Sequence, residues 1–134
     1  MMALQSCIKI LKELDIVGAR QLGREMTKEI GFGIVDQARV TTAISELARN
    51  IYLYADHGKI CCEAIHHLGR RGIRLMATDE GPGIEDIGKV MQDGYSTSGG
   101  LGAGLPGVKR LMDEFDLQSE KGKGTTITAI KWLR

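Results

Sequence analysis

The sequence DEGPGIEDIGKVMQDGYSTSGGLGAGLPG, from Asp79 to Gly107, contains two glycine-rich segments on which the prediction of the fold rests. In the first segment a carboxylate is followed by Gly81 and Gly83, which present no Cβ atoms to obstruct a flat ring. In the second segment backbone amides can approach phosphate oxygens, and Pro106 is well placed to open a helix. Its glycines are Gly99, Gly100, Gly102, Gly104 and Gly107. The two segments together predict a site for a purine nucleotide and its phosphates.

Residues 102–107 match the pattern G-x-G-x-x-G, which also occurs in two other classes of nucleotide-binding protein. The dinucleotide-binding pattern requires a strand directly before the glycines and an acidic residue about twenty positions later, and the sequence supplies neither. The pattern of the large protein kinases requires His-Arg-Asp and Asp-Phe-Gly elements and a far longer chain. A G-x-x-x-x-G-K-[ST] motif does not occur. The sequence therefore excludes these three classes of site.

The size and charge of the chain limit its possible partners. With 134 residues, we expect one domain over residues 1–134. The 18 basic and 17 acidic side chains give a net charge of +1, which offers no electrostatic argument for binding nucleic acid or an anionic membrane. No apolar run approaches the roughly 18 residues of a membrane span, and the first residues lack a signal-peptide pattern. We expect a cytoplasmic protein.

The three cysteines, Cys7, Cys61 and Cys62, form an odd set in which two adjacent residues point to opposite faces of any strand. Because there is no Cys-x-x-Cys motif, neither a disulfide framework nor a zinc site is favoured. The three histidines do not form a metal-ligand cluster at the predicted positions. We therefore expect no metal site built from these side chains.

The predicted elements form an α+β fold in which helices are layered on one face of a mixed sheet. Asp15 and Asp36 are predicted helix caps, Gly31 is a predicted helix end, and residues 69–72 are a predicted hairpin turn. The predicted helices are 15–31, 36–55, 86–92 and 106–115, and the predicted strands are 7–11, 59–68, 73–78, 117–120 and 125–133. The inner face of the second helix is predicted to contain Val40, Ala43, Ile44, Leu47, Ile51 and Tyr54.

Glu46 and Asn50 lie four residues apart in the predicted second helix, so they project from one face about one turn apart. Such a pair is ordinarily solvated at the edge of a helix. In this helix the pair lies within an otherwise apolar sequence. Its position indicates a functional role once the other motifs are considered with it.

Four motifs in order resemble the boxes of the GHKL ATPase superfamily, which has the Bergerat fold, a two-layer α/β sandwich. They are E-x-x-x-N (Glu46, Asn50), D-x-G-x-G (Asp79, Gly81, Gly83), G-x-G (Gly102, Gly104) and G-T (Gly124, Thr125). The segments ISELARNIYLYA and STSGGLGAGLPGVKRLMDEF are similar to those of bacterial anti-sigma-factor-type serine kinases, in particular the stressosome switch kinases. The resemblance covers nearly the whole chain.

The resemblance implies a role for each matching residue. Asp79 would accept a hydrogen bond from the adenine amino group, and Thr125 would support the same side of the ring. Asn50 would hold Mg²⁺ against the phosphates of ATP, and Glu46 would act as the general base. Gly102, Gly104 and Leu105 would form the phosphate-binding lid. The other nucleotide-binding positions implied are Gly81, Gly83, Gly100, Ala103 and Gly124.

The resemblance also implies a function. The chain would be a Mg·ATP-dependent kinase that phosphorylates Ser or Thr on STAS-domain proteins of a bacterial stress-signalling complex, and that binds a PPM-type phosphatase when released. The sequence contains no helical domain with a phosphoacceptor histidine, so autophosphorylation on histidine is not supported. The alternative is a binding module that captures a partner, such as an RNA polymerase sigma subunit, with ATP as a regulatory ligand.

Overall fold

A computed structural model describes residues 5–55, 57–83 and 104–134, which form a five-stranded sheet with helices against one face. The elements are β1 Gln5–Ile10, α1 Leu14–Ile30, α2 Ile34–Tyr54, β2 Gly58–His67, β3 Arg70–Asp79, α3 Gly104–Leu111, β4 Glu114–Glu120 and β5 Gly124–Trp132. The strand order is β1-β2-β3-β5-β4. The predicted α+β class is confirmed. All four described strand pairings are antiparallel, so the prediction of a mixed sheet was wrong in that detail. The predicted helix 86–92 lies outside the described residues.

The core lies between the helices and one face of the sheet. Fully buried side chains come from both layers: Ile44 and Leu47 from α2, Ile60 from β2, Leu75 from β3 and Ala129 from β5. Burial of one such Ile or Leu side chain contributes about 1.5–3 kcal/mol to folding. Of the predicted inner face of α2, Val40, Ala43, Ile44, Leu47 and Ile51 are buried and Tyr54 is 47% exposed. The central helix of the core thus also carries Glu46 and Asn50.

The helix ends only partly follow the prediction. Gly31 ends α1 as predicted, because its φ of 110° suits glycine and its N–H bonds to the Thr27 carbonyl. Asp15 and Asp36 are not capping residues but lie in the first turns of α1 and α2. The Asp15 carboxylate accepts hydrogen bonds from the amides of Leu11 and Lys12, and these bonds hold its pKa below the usual value. Both carboxylates therefore lie within the first turn of their helix, where a negative charge is favourable, rather than at the position before it.

The hairpin turn between β2 and β3 is shorter than predicted. It consists of Leu68 and Gly69, with φ values of 52° and 80°, as a two-residue turn with two left-handed residues requires. Arg70 and Arg71 already pair with His67 and His66 in the ladder. The prediction of a turn at residues 69–72 was wrong because the pattern of arginine and glycine resembled a loop.

The cysteine prediction was also wrong. Cys7 in β1 lies directly opposite Cys61 in β2, and their sulfur atoms form a disulfide on the face of the sheet that carries no helix. The two residues are 54 positions apart, so only the strand register could bring them together. Cys62 points to the other face, and burial raises the pKa of its thiol to about 12. The disulfide therefore lies away from the helices.

A buried lysine connects three parts of the fold. Lys131 in β5 is 6% exposed, and its Nζ donates to the Leu111 carbonyl at the end of α3 at 3.0 Å. Its ammonium lies 3.7 Å from Asp113 and 3.9 Å from Asp36 in α2. A buried charge requires such partners, so the lysine fixes the C-terminal end of α3 relative to the sheet and α2. No helix within the described ranges combines the length and the apolar character of a membrane span.

Candidate nucleotide and catalytic site

Asp79 and Thr125 meet at one end of the sheet. They are directly opposite each other in the β3–β5 ladder, so their side chains lie on the same face of neighbouring strands. That face is the helix-facing one, because Ala77 and Ile127 precede and follow them in the same alternation and are buried. Thr125 is itself 8% exposed. The structure thus brings together the two residues predicted to bind adenine.

The Thr125 hydroxyl has a polar partner that the sequence analysis missed. Its Oγ1 lies 2.8 Å from the Oγ of Ser119 in β4, and the Ser119 hydroxyl lies 3.1 Å from the Gly124 carbonyl. Ser119 pairs with Thr125 across the β4–β5 hairpin. The alternation of β4 with its turn at residues 121–123 could have identified Ser119 as a neighbour of Thr125. This contact fixes the position of the threonine hydroxyl.

The Asp79 carboxylate stabilises the turn of the chain that follows β3. Its Oδ1 accepts a hydrogen bond from the Gly81 amide at 2.9 Å. A carboxylate has two oxygen atoms that can each accept hydrogen bonds. Asp79 is half-buried, so its second oxygen can accept a bond from a ligand while Oδ1 holds the turn.

Three glycines allow this turn to pack closely against its neighbours. A Cβ atom on Gly81 would lie 2.8 Å from the Cβ of Ala55, directly after α2. A Cβ on Gly83 would overlap the Glu120 carbonyl, and one on Gly124 would overlap the carbonyl of Asp79. Gly83 and Gly124 also have positive φ values of 78° and 91°. The D-x-G-x-G and G-T motifs thus form one packed unit at this end of the sheet.

We predict that Gly124→Ala destabilises the fold and weakens nucleotide binding. Gly122 in the same hairpin is the matched control, because it has a φ of 82° and open space around the missing Cβ. Left-handed backbone alone costs about 1–2 kcal/mol for alanine, and the overlap with Asp79 should add about 1–3 kcal/mol. Urea unfolding of both variants measures the difference. Equal losses of stability in the two variants would show that the close approach to Asp79 is unimportant.

Glu46 and Asn50 lie one turn apart on α2, as predicted. Glu46 is 4% exposed, and its Oε2 is buried without a hydrogen-bond partner. The Oδ1 of Asn50 is also buried without a partner among the described residues. Buried polar atoms are nearly always satisfied, so two orphaned acceptors on one helical face indicate a site for a ligand. Their oxygen atoms are suited to a hard cation such as Mg²⁺ and to a hydroxyl donor.

The helical face and the sheet end are adjacent. Gly58 pairs with Asp79 in the β2–β3 ladder, and a Cβ on Gly58 would lie 2.8 Å from Cγ2 of Ile51 and 3.0 Å from Cβ of Asp79. Ile51 directly follows Asn50 in α2. The absence of a side chain at Gly58 therefore allows the last turns of α2 to approach Asp79.

The second glycine-rich segment is only partly described. Gly104 has a φ of 53° and begins α3, two residues before the predicted start at Pro106. Leu105 is 6% exposed and belongs to the core. The side of the predicted lid that leads into α3 is thus anchored by packing. Gly100, Gly102 and Ala103 lie outside the described residues.

Comparisons with known proteins agree with this arrangement. The model of a family described as histidine kinase-, DNA gyrase B-, and HSP90-like ATPase matches residues 35–134. The chain is 68% identical over 130 residues to the serine/threonine-protein kinase RsbT of Bacillus subtilis, covering 97% of this chain and 98% of that protein. It is 33% identical over 104 residues to an anti-sigma F factor of Thermoanaerobacter, covering 75% and 73% of the two chains.

A solved structure shows the same fold at low sequence identity. The mycobacterial sensor histidine kinase MprB has a TM-score of 0.55 and 13% identity, with 96% of this chain and 97% of that chain covered. The GHKL resemblance drawn from the four boxes is confirmed by the family match. The chain therefore belongs to the histidine kinase-, DNA gyrase B-, and HSP90-like ATPase family, in which it is an ATP-using protein serine/threonine kinase.

Proposed function

We propose that the chain, as one domain, transfers phosphate from Mg·ATP to Ser or Thr of STAS-domain proteins in a bacterial stress-signalling complex. When released from them, it binds and activates a PPM-type phosphatase. The proposed location of the protein and both of its partners is the cytoplasm. The observation that carries the proposal is the orphaned pair of acceptors, Glu46 Oε2 and Asn50 Oδ1, beside the Asp79 end of the sheet. The partner classes rest on the resemblance to stressosome switch kinases.

The sheet end is proposed to bind adenine. The second carboxylate oxygen of Asp79 accepts a hydrogen bond from the amino group of the base, while Oδ1 remains bonded to the Gly81 amide. The Thr125 hydroxyl, fixed by Ser119, supports the same edge of the ring. Gly81, Gly83 and Gly124 let the turn after Asp79 pack against Ala55 and the β4–β5 hairpin, which holds the Asp79 carboxylate at this end of the sheet. This division of contacts selects adenine over a base with an acceptor at the same position.

Asn50 is the proposed protein ligand of Mg²⁺. The metal neutralises developing charge on the phosphates when bound, and it typically takes few protein ligands, with water and phosphate oxygens completing its shell. The amide oxygen of Asn50 is buried, lacks a partner and is uncharged, which suits a single contact of this kind. Gly102, Gly104 and Leu105 form the proposed phosphate-binding lid, in which Gly104 and Leu105 lie at the start of α3. Gly100 and Ala103 are further proposed nucleotide-binding positions.

Glu46 is the proposed general base. Its buried carboxylate takes the proton of the incoming Ser or Thr hydroxyl as the hydroxyl oxygen bonds to the γ-phosphorus. The bond from the γ-phosphorus to the bridging oxygen breaks, and its electron pair leaves with ADP. Burial at 4% exposure keeps competing water from the carboxylate. In this proposal the phosphorylated hydroxyl belongs to a separate protein that docks over this face.

The proposal is tested by incubating the protein and Mg·ATP with purified STAS-domain proteins and analysing the products by mass spectrometry. We expect phosphate on Ser or Thr of the STAS-domain protein, and about 100-fold less or lower with Glu46→Gln in parallel. If ATP binds but no phosphate appears on the STAS-domain protein, the proposed substrate class is contradicted. A separate pull-down with the PPM-type phosphatase tests the second partner.

The similarity to an anti-sigma F factor favours one alternative function. In it, the protein captures a sigma subunit, and ATP serves as a regulatory ligand. Pull-downs from a cell extract with and without ATP distinguish the two functions. Recovery of a sigma subunit without STAS-domain or phosphatase partners would support the alternative and contradict the proposed kinase pathway.

A further inference from the structure

A third polar side chain on the same part of α2 is also incompletely satisfied. The Nε of Arg49 is buried without a hydrogen-bond partner. Within residues 5–55, 57–83 and 104–134, its guanidinium forms no hydrogen bond or ion pair. Arg49 follows Glu46 by three positions, so the two side chains are neighbours on the helix surface. The three buried atoms without a partner, at positions 46, 49 and 50, thus all belong to about one turn of α2, and we call them the 46–50 cluster.

Polar side chains in the first two turns of α2 form hydrogen bonds, in contrast to the three atoms of this cluster. Arg39 donates to Asp36 at 2.9 Å, Gln37 donates to the Phe32 carbonyl at 2.7 Å, and Thr41 donates to the Gln37 carbonyl at 2.7 Å. Each of these bonds is made to a neighbour within five residues. The difference along one helix indicates that the cluster at 46–50 is completed by a ligand.

The chemistry of the cluster restricts that ligand. Arg49 is a permanent cation that can only donate hydrogen bonds, and Glu46 as a carboxylate can only accept them. At this spacing the two side chains would ordinarily pair with each other, yet each keeps a buried atom without a partner. A ligand that satisfies both must present an anionic acceptor to Arg49 and a donor to Glu46. A phosphoryl group beside an attacking hydroxyl presents both.

We propose that Arg49 is a further catalytic residue, whose guanidinium binds a non-bridging oxygen of the phosphoryl group during its transfer. The inference rests on the proposed nucleotide site. The charge of the transferred group is spread over its three non-bridging oxygens, and a planar guanidinium can contact two of them at once. Arg49 keeps its protons throughout, because the proton of the hydroxyl goes to Glu46 and the bonding electrons of the cleaved bond leave with ADP. Its role is electrostatic.

A matched pair of variants tests this role. Arg49→Met removes the cation and keeps the apolar stem, and Arg39→Met makes the same change ten positions earlier on α2, where Asp36 already holds the guanidinium. Calorimetry measures the affinity for ADP and for a non-hydrolysable ATP analogue, which differ in the phosphoryl group. For Arg49→Met we expect about a tenfold loss of analogue affinity with ADP affinity unchanged. For Arg39→Met we expect neither affinity to change.

The transfer rate provides a second readout. At saturating ATP and partner, Arg49→Met should lower the rate by about 100-fold or more, as removal of one donor to a transition state typically does. Arg49→Lys keeps the charge and loses the planar fork, so it should recover part of the rate. Arg49→Lys also decides the matter if circular dichroism shows that Arg49→Met does not fold.

Three results would overturn the inference. An unchanged ratio of analogue to ADP affinity would show that Arg49 does not contact the γ-phosphoryl group. A higher KM for the partner with an unchanged rate at saturation would assign Arg49 to an acidic side chain of the partner. A rate for Arg49→Lys as low as that of Arg49→Met, with both folded, would show that charge is not what the site uses. The proposed function fails separately, if wild type does not bind ATP or if Glu46→Gln transfers phosphate normally.

Discussion

Glu46→Gln is expected to lower phosphate transfer to a protein hydroxyl by about 10²- to 10⁴-fold, while ATP affinity changes by less than about threefold. Glutamine has the same shape and still accepts hydrogen bonds, but its amide cannot take the proton of the hydroxyl. The carboxylate is 4% exposed and its Oε2 has no partner, so the substitution removes the base without breaking an observed contact. The loss should therefore appear in kcat.

Radiolabelled phosphate transfer to a STAS-domain protein measures this effect, with calorimetry for ATP binding. Glu63→Gln is the control, because Glu63 pairs with Arg74 on the face of the sheet that carries no helix. We expect the control to transfer phosphate at the wild-type rate. Unchanged transfer by Glu46→Gln would remove Glu46 as the base and leave its buried position without a catalytic explanation.

Asp79→Asn is expected to weaken ATP binding by about ten- to a hundredfold, equivalent to about 1–3 kcal/mol for an unpaired buried polar group. Asparagine retains one oxygen, which can still accept the hydrogen bond from the Gly81 amide and so preserve the turn. Its amide nitrogen then replaces the second oxygen and faces the amino group of adenine. Because two donors would oppose each other, binding falls while folding is retained.

Calorimetric titration of ATP into the wild type and Asp79→Asn, with circular dichroism to confirm folding, measures this loss. Asp116→Asn is the matched control, because Asp116 is exposed on β4 and alternates away from Leu117 and Ser119. Its ATP affinity should equal that of wild type. If Asp79→Asn also bound ATP normally, Asp79 would act only in the turn and would not belong to the adenine site.

The features that the sequence predicted best depend on local periodicity or on short motifs. The apolar spacing of α2 identified the buried face from Val40 to Ile51, and the spacing of Glu46 and Asn50 placed them on one side of that helix. The G-T motif lies at the start of β5, where Gly124 has a positive φ and a Cβ atom would overlap the Asp79 carbonyl. These relations involve neighbours along the chain or backbone conformations that only glycine adopts readily.

The features that the sequence did not predict depend on register and on competing partners. The disulfide between Cys7 and Cys61 and the contact between Ser119 and Thr125 both follow from strand pairing, which residue types alone do not specify. Asp36 resembled a helix cap, but α2 begins two residues earlier, at the exposed Ile34. Arg49 belongs to none of the predicted motif positions, and the burial of its Nε without a partner is what distinguishes it.

The central claim is that the end of the sheet at Asp79 binds the adenine base, whereas Glu46 on α2 takes part in the transfer of the phosphoryl group. The most direct test is the rate of phosphate transfer as a function of ATP concentration for Asp79→Asn and Glu46→Gln, side by side. We predict that Asp79→Asn approaches the wild-type rate once ATP is saturating, whereas Glu46→Gln remains slow at every ATP concentration. Recovery of both variants at high ATP, or recovery of neither, would contradict this division.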